Sequence, residues 1–272
     1  MERSPYEIYQ IPNLQNPSLI VGWQTQDVGR LGSGVINFLN KKFGGEEVGR
    51  IKPVDFFSLG GVRIENDVAR VPESKFFACK KNNLLLFKSD EPKDEWYRFL
   101  DSVLDVAQYS CKMKDLYTVN GNPSLIPHTW PRRILTVFNH PEFGRDVEKY
   151  GLLGMYYEGP PAMSSFLLWV AKRRNIPGAS IWVDIPFYLA PLKDPLAQKK
   201  VLEFFNQKFN LKIDLRELDL EIRDQNEKIA RLREKDSEIN RYFNLLESGI
   251  GLDGEEQLKL AKQIYELLEK RG

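Results

Sequence analysis

Short apolar runs that end in turn residues alternate with segments of helical period, and this alternation constrains the fold most strongly. The first run, residues 17–23, is bounded by proline and glycine, and apolar residues then recur at helical spacing from Val28 to Leu39. Runs of this length are typical of buried strands, and the 3.6-residue period is typical of an amphipathic helix. Asp27 stands where the N-cap of that helix is expected. The sequence therefore predicts an α/β fold.

The alternation continues to about Leu211. A hairpin is predicted from residues 62–64 and 68–71, because residues 65–67 are turn-prone. Antiparallel and parallel elements are thus expected together, in a mixed, mostly parallel sheet flanked by helices. Further strands are predicted at residues 48–51, 84–87, 116–119, 134–138 and 179–183. The turn-prone segments 120–123 and 139–141 are expected to end two of these strands.

Two helices of this region have end signals. Asp194-Pro195 is expected to open one helix, since proline suits the first helical turn. Ser164 or Ser165 is expected to cap the start of another, and Lys172 to Arg174 suits the negative carbonyl end of the same helix.

From Leu218 to Ser248 the chain contains neither glycine nor proline and becomes rich in charge. Positions four and three residues apart repeat there as a heptad seam, which predicts a coiled coil or a helical hairpin. Ile229, Leu232 and Ile239 are expected to be buried against another helix of the hairpin or of a neighbouring subunit. The seam comprises Leu218, Ile222, Gln225, Ile229, Leu232, Asp236, Ile239, Phe243 and Leu246.

A glycine-rich break at residues 249–254 precedes a final helix, on which Leu258, Ala261, Tyr265 and Leu268 lie along one face. We expect these helices to form a C-terminal hairpin. The predicted organisation is an α/β domain at residues 1–214 and a helical extension at residues 215–272.

Loops that follow strands are the usual ligand-binding positions of an open α/β sheet. Residues 23–27, 120–127 and 139–144 are therefore expected to converge. The candidate ligand-binding residues are Trp23, Gln24, Asp27, Gly29, Asn120, Gly159 and Ser164.

Catalytic and metal-binding patterns are weak. Gly29, Gly32 and Gly34 match no phosphate-loop spacing, so helix packing is favoured over phosphate binding. His128 and His140 lack carboxylates at metal-site spacing, although Glu142 and Asp146 lie close to His140. Ser164, His140 and Asp184 can be written as a triad, but no G-x-S-x-G elbow supports it. We expect no catalytic residue, metal or cofactor.

Charge and composition bear on partners. The formal net charge is +1, so nothing draws the chain as a whole to nucleic acid or to anionic lipid. Arg132-Arg133 beside Trp130 and the basic residues beside Trp169 resemble RNA-binding surfaces only locally. No apolar stretch approaches the roughly 20 residues of a membrane span, and residues 1–7 lack a signal layout. We expect a cytoplasmic protein that binds neither nucleic acid nor membrane.

Cys79 and Cys111 are the two cysteines of the chain. Because two thiols are far from the density of a disulfide-stapled secreted domain, both are expected to be reduced. Cys79 follows the apolar residues 76–78, so it is expected to be a buried structural thiol rather than a reactive one.

Three segments resemble one family: residues 17–23 with Asp27-Val28-Gly29, residues 154–161, and residues 164–188 with their Ile-Pro-Gly-Ala-Ser link. Over about residues 15–210 the chain resembles the proteasome-assembly-chaperone family that is named for the second assembly chaperone. The resemblance implies an α/β fold similar to nucleoside phosphorylases, oligomeric assembly, and no established catalysis.

The function that follows is a homo-oligomeric scaffold or assembly-chaperone-like protein, whose partners are its own copies and other protein subunits. The alternative is a small-molecule enzyme that binds a nucleoside or nucleotide in a phosphorylase-like crevice. Archaeal members that aid proteasome assembly are expected to end in hydrophobic-Tyr-X, whereas this sequence ends in Glu269-Lys270-Arg271-Gly272. In its layout the chain is more similar to bacterial relatives that have a helical C-terminal extension and are of unknown function. Any binding to proteasome α-subunits is therefore expected to use the globular surface.

Overall fold

The apolar runs form strands in the computed structural model, which describes residues 4–57, 63–65 and 68–269. Most of these strands belong to one nine-stranded mixed sheet, and β4 and β5 form a separate pair. The strands are β1 (Tyr6–Ile8), β2 (Ser18–Trp23), β3 (Glu46–Ile51), β4 (Arg63–Glu65), β5 (Val68–Arg70), β6 (Ser74–Cys79), β7 (Leu84–Ser89), β8 (Asp115–Ser124), β9 (Ile134–Phe138), β10 (Leu153–Gly154) and β11 (Gly178–Pro186).

The order in the large sheet is β1-β3-β6-β7-β2-β8-β11-β9-β10. β2 pairs in parallel with β7 and with β8, so Ile20 lies beside both Leu86 and Tyr117. β1 with β3, β3 with β6, and β6 with β7 are antiparallel. All six residues of β2 are buried, as expected for a strand that is covered on both faces. The predicted mixed α/β sheet is confirmed.

The helices begin and end close to the predicted signals. Asp27 accepts hydrogen bonds from the amides of Gly32 and Ser33, in the first turn of α1. Asp194 caps α5 by accepting from the amide of Ala197 at 3.0 Å. The helices are α1 (Leu31–Phe43), α2 (Trp96–Asp105), α3 (Pro141–Glu148), α4 (Met163–Arg173), α5 (Pro195–Phe209), α6 (Arg216–Lys235), α7 (Ser237–Glu247) and α8 (Gly254–Glu269).

The chain forms two compact units. The first unit comprises the described parts of Met1–Gln26, Val35–Val119 and Thr136–Ile181. Its core packs apolar side chains from the strands against those of α2 and α4, including Phe87, Phe99 and Leu167.

The second unit comprises Asp27–Gly34, Asn120–Leu135 and the described part of Trp182–Gly272. Tyr188, Phe243 and Ile264 are fully buried in it. The boundary that the sequence suggests after Asp214 remains a prediction.

β8 continues through the segment that was predicted to end it. Residues 120–123 have turn composition, yet the strand runs on to Ser124. Gly121 is needed there for close approach, because an added Cβ would lie 2.4 Å from the carbonyl oxygen of Val28. The side chain of Asn122 bonds Asp184 instead of its own backbone. A second segment predicted as a loop, residues 139–144, contains the start of α3.

The heptad seam is divided at Asp236. This residue has φ −125° and ψ 104°, and its Oδ1 accepts hydrogen bonds from the amides of Glu238 and Ile239. A carboxylate at a helix start is an N-cap, so what reads as a polar position in one long helix separates α6 from α7. The C-terminal region therefore consists of three helices.

The apolar face of α8 also differs from the predicted one. Leu260 and Ile264 are buried, whereas Leu258 and Tyr265 are 74% and 46% exposed. The predicted β4–β5 hairpin is present, with Ile64 opposite Ala69. Of the predicted hairpin, Val62, Asn66 and Asp67 lie outside the described residues, as do Lys270, Arg271 and Gly272 of the chain end.

Candidate functional site

Two of the predicted ligand-binding residues meet in the first unit. The indole nitrogen of Trp23 donates to the Oγ of Ser164 at 2.8 Å, and both side chains are buried. The expected capping role of Ser164 is wrong, because α4 begins after Ala162 without a side-chain cap. Its hydroxyl lies inside the core, where it accepts the hydrogen of a buried donor.

The other predicted residues of the first unit lie closer to the surface. The side-chain amide of Gln24 donates to Asp90 Oδ2 at 3.5 Å, and Gly159 is exposed. A Cβ at Gly159 would lie 2.5 Å from the hydroxyl of Tyr157. Neither contact joins the side chain of Gln24 or Gly159 to the Trp23–Ser164 hydrogen bond.

The remaining predicted residues belong to the second unit. The carboxylate oxygens of Asp27 accept the amides of Gly32 at 2.7 Å and Ser33 at 2.9 Å. Burial raises the pKa of Asp27, and the hydrogen bonds from Ser33 and Gly32 oppose that rise. Gly29 has φ 70°, and its amide donates to Ala190 O at 2.7 Å. Asn120 is half-buried within β8.

Gly29 illustrates the packing use of glycine that the sequence favoured. An added Cβ would lie 3.0 Å from Ile185 Cδ1, in a backbone conformation that side chains rarely adopt. This geometry supports close packing rather than a phosphate cradle.

The side chains of the conceivable triad have other partners. Asp184 is 1% exposed and accepts from Asn122 at 3.0 Å, Ser124 at 2.9 Å and the Nε of Arg133 at 2.8 Å. Its carboxylate thus supports a structural network. His140 Nδ1 lies 3.4 Å from Glu142 Oε1. Within the residues that the structure describes, no group of three or more metal-ligating side chains comes together.

His128 has a role that the sequence did not indicate. It is 4% exposed, its backbone amide donates to the hydroxyl of Tyr188 at 2.6 Å, and its Nδ1 lies 3.1 Å from the same oxygen. Phe243 of α7 packs edge-on against both rings, at 5.1 Å and 5.4 Å. Burial lowers the pKa of His128 to about 4, and the charges of Arg132 and Arg233 add to this effect.

Arg132 is also buried, although the sequence placed it in a local basic surface. Its Nε donates to Asp194 Oδ2 at 2.8 Å, and the two side chains are 1% and 0% exposed. Asp194 uses its other oxygen to cap α5. The Asp194-Pro195 pair predicted the cap, but no local sequence pattern indicated that Asp194 also pairs with Arg132.

α4 has a buried face and an outward face. Met163, Leu167, Val170 and Ala171 are buried in the first unit. Trp169 is exposed, and its ring stacks at 5.2 Å with an interplanar angle of 8° on Phe166, which is half-buried against the core. The helix therefore presents Trp169 to solvent and supports its ring with Phe166.

α2 extends this aromatic surface. Tyr97 lies edge-on to Trp169 at 6.1 Å, and Trp96 lies 6.1 Å from Phe166. We call Trp96, Tyr97, Phe166 and Trp169 the aromatic patch. Tyr97 and Trp169 are each 46% exposed. Exposed clusters of large aromatic side chains are characteristic of protein interaction sites.

Basic residues lie beside Trp169 on the α4 side of the aromatic patch. The guanidinium of Arg173 lies over the ring of Trp169, 5.0 Å from its centre. Lys172 is exposed one turn after Trp169, whereas before Trp96 the exposed residues are of both signs, Lys93 with Asp94 and Glu95. Arg174, in contrast, forms ion pairs with Asp101 and Asp105 and so joins α4 to α2. The ion pairs thus connect the two helices of the patch, and Arg173 with Lys172 forms its basic rim.

None of the helices within residues 4–57, 63–65 and 68–269 combines the length and apolar character required to cross a bilayer. No curated protein matches the chain.

Solved structures share the fold. A Corynebacterium glutamicum protein of unknown function is 19% identical, with a TM-score of 0.77 over 99% of this chain and 100% of its own. A Mycobacterium tuberculosis proteasome-assembly chaperone homologue is 18% identical, with a TM-score of 0.71 over 83% and 99%. Pyrococcus furiosus PbaB, an archaeal proteasome activator, is 18% identical, with a TM-score of 0.67 over 84% and 98%.

At these identities the likeness establishes the fold alone. The family assignment rests on the sequence, since the model of the PAC2 family matches residues 19–233, more than half of the chain. This range includes the segments that carried the resemblance to assembly chaperones, apart from the first two residues of the first segment. The chain belongs to the PAC2 family.

Proposed function

We propose that this protein is a homo-oligomeric, assembly-chaperone-like scaffold that binds client subunits through the aromatic patch. The observation that carries the proposal is the exposure of Tyr97 and Trp169, each 46%. Their rings are supported by neighbours, because Trp169 stacks on Phe166 and Tyr97 lies edge-on to Trp169. Rigid aromatic side chains contribute much contact area at low entropic cost, which is why they dominate binding energy in protein interfaces.

The basic residues beside Trp169 indicate which class of client surface would bind. Arg173 and Lys172 are exposed beside Trp169, so a partner surface that has acidic side chains next to apolar ones would complement this side of the patch. A partner of this kind buries the rings and neutralises the rim together. Recognition of this sort requires no chemical step by the scaffold.

Structural relatives suggest which client to test first. PbaB is described as an archaeal proteasome activator, and PbaA of the same organism as a homologue of a proteasome-assembly chaperone. Subunits of a proteasome ring are therefore the first clients to test. We place the activity in the cytoplasm, where free thiols such as Cys79 and Cys111 stay reduced.

The decisive experiment compares surface variants by native mass spectrometry with proteasome α-subunits. Trp169→Ala and Tyr97→Ala should each weaken the complex at least tenfold, as for central aromatic residues of an interface. Tyr109→Ala is the matched control, because Tyr109 is 72% exposed but lies beyond α2, outside the aromatic patch. It should bind like the unaltered protein.

Circular dichroism should show an unchanged fold in all three variants, because the substituted side chains are partly or largely exposed. A complex that Trp169→Ala and Tyr97→Ala leave intact would contradict the role of the patch. Absence of a complex with the unaltered protein would contradict this choice of client.

A further inference from the structure

α8 presents to solvent the apolar positions that its sequence suggests should be packed. Leu260 and Ile264 face the interior of the second unit and are fully buried. On the opposite side Leu258 is 74% exposed and Tyr265 is 46% exposed, seven residues further along. At 3.6 residues per turn these two side chains lie along one outward stripe.

Two charged residues share this stripe. Glu255 lies one turn before Leu258, and Lys262 lies one turn after it. Both are exposed, and neither forms a salt bridge with any residue in the described part of the chain. Their neighbour Lys259, in contrast, pairs with Glu238 of α7.

This arrangement is self-complementary. A second helix of the same sequence that runs in the opposite direction brings its Lys262 opposite Glu255, and its Glu255 opposite Lys262. Both pairs form at once when the two-fold axis passes between positions 258 and 259, because the midpoint between the two charges lies there, next to Leu258. A two-fold interface requires a surface that matches itself in this way.

We infer that α8 pairs antiparallel with α8 of a second copy, with the two Leu258 side chains in contact and two reciprocal Glu255–Lys262 ion pairs around them. The inference deepens the proposed function, on whose homo-oligomeric scaffold it rests, by naming the surface through which copies associate. The occupant is a second copy because the stripe supplies both members of each ion pair.

A charge-swap cycle tests the pairing by sedimentation velocity over a range of concentrations. Glu255→Lys alone and Lys262→Glu alone should each raise the dissociation constant of the pair about tenfold, since each places like charges opposite one another. The double variant should recover most of the affinity, because both pairs form again with reversed signs. Association by the double variant that is no tighter than by the singles would overturn the inference.

An effect of Glu255→Lys on the stability of α8 itself would not produce the same recovery in the double variant. Glu255 lies in the first turn of α8, where a lysine is unfavourable to the helix dipole. The double variant carries the same unfavourable lysine, so a purely conformational effect would persist in it. Restoration therefore reports the contact between copies.

Cross-linking tests the register. Cys79 and Cys111 are buried, so a single Leu258→Cys variant presents one exposed thiol. Mild oxidation should link two chains through it, because the two positions meet at the axis. Tyr265→Cys is the control and should remain unlinked, since in this register it lies opposite residue 252 of the other copy. Cross-linking through Tyr265→Cys but not Leu258→Cys would overturn the register.

Leu258→Asp separates the inference from the proposed function. It should abolish the α8 contact, whereas Ile11→Asp, at an aliphatic side chain that is 76% exposed in the first unit, should not. An unaltered protein that is monomeric at all concentrations would contradict the homo-oligomeric scaffold itself. An oligomer whose mass resists Leu258→Asp would overturn only the role of α8.

Discussion

The indole nitrogen of Trp23 on β2 and the hydroxyl of Ser164 on α4 form a 2.8 Å hydrogen bond inside the first unit. Trp23 is 3% exposed and Ser164 is 1% exposed. The same helix presents Trp169 to solvent, with its ring stacked on the half-buried Phe166. The buried bond therefore helps to hold the helix that carries half of the aromatic patch.

Ser164→Ala should lower the free energy of unfolding by about 1–3 kcal/mol, because the buried indole N–H of Trp23 loses this acceptor. Urea titration followed by tryptophan fluorescence measures the change. Ser165→Ala is the matched control, since Ser165 is the adjacent, half-buried hydroxyl of α4. Equal losses in the two variants would contradict a specific role for the Trp23–Ser164 bond.

The Arg132–Asp194 pair leads to a second prediction. Arg132→Met should destabilise the protein by about 3–5 kcal/mol, because it leaves a carboxylate that is 0% exposed without its cation. Adding Asp194→Asn should recover part of the loss, since an amide oxygen can still accept the amide of Ala197. Unfolding in urea tests both variants. A double variant that is less stable than Arg132→Met would contradict this account.

The strand–helix order was predictable because it depends on local patterns. β2 is a buried central strand, and Asp194 caps α5 at the predicted helix start. Asp27 accepts amides of the first turn of α1 as predicted, although this helix begins at Leu31 rather than directly after Asp27. Residues 120–123 were wrongly predicted to end the strand, because turn composition does not reveal the approach of a distant backbone segment. Gly121 is required by its approach to Val28, and Asn122 by its bond to Asp184.

The candidate site was less accessible to sequence reasoning. Trp169 and the basic residues after it were visible, but as an RNA-like pattern, because the edge-on contact with Tyr97 of α2 joins residues that are far apart in the sequence. The heptad pattern indicated helices correctly but did not indicate that Asp236 caps a new one. The face of α8 that the sequence predicted to be packed includes the exposed Leu258 and Tyr265. In each of these cases the outcome depends on contacts with residues that are distant in the sequence.

The boundary after Asp214 yields a third prediction. Residues 1–214 alone should give a soluble protein with near-ultraviolet circular dichroism of fixed aromatic packing. Its melting temperature should fall, because Phe243 no longer covers Tyr188 and burying a phenylalanine contributes about 1.5–3 kcal/mol. Phe243→Leu in the full chain should show a smaller fall. A molten near-ultraviolet spectrum of residues 1–214 would contradict the predicted boundary.

The alternative of a nucleoside- or nucleotide-binding enzyme yields a fourth prediction. Asp27 already accepts two backbone amides, and Ser164 already accepts the indole of Trp23. Nucleosides, nucleotides and phosphate are therefore expected to leave the melting temperature unchanged in a thermal-shift assay. A rise that saturates with concentration would show binding to the native state and favour the alternative.

The last prediction concerns pH and the buried His128. In the unfolded chain a histidine titrates near its ordinary pKa of about 6.5, whereas burial lowers the pKa of His128 in the folded protein to about 4. Above pH 6.5 the side chain is neutral in both states. As pH falls from 6.5 towards 4, the unfolded chain takes up the proton first, so stability declines with falling pH. Below pH 4 both states are protonated, and this contribution changes no further.

Over this pH range the contribution of His128 lowers the free energy of unfolding by on the order of 3 kcal/mol in total. His128→Gln should lose this part of the pH dependence when unfolding in urea is measured between pH 7 and pH 4. Tyr188→Phe is the control: it removes the hydroxyl partner, but the histidine remains buried, and burial is the largest cause of the lowered pKa. It should therefore keep most of the slope. Equal slopes for the unaltered protein and His128→Gln would show that His128 does not carry the effect.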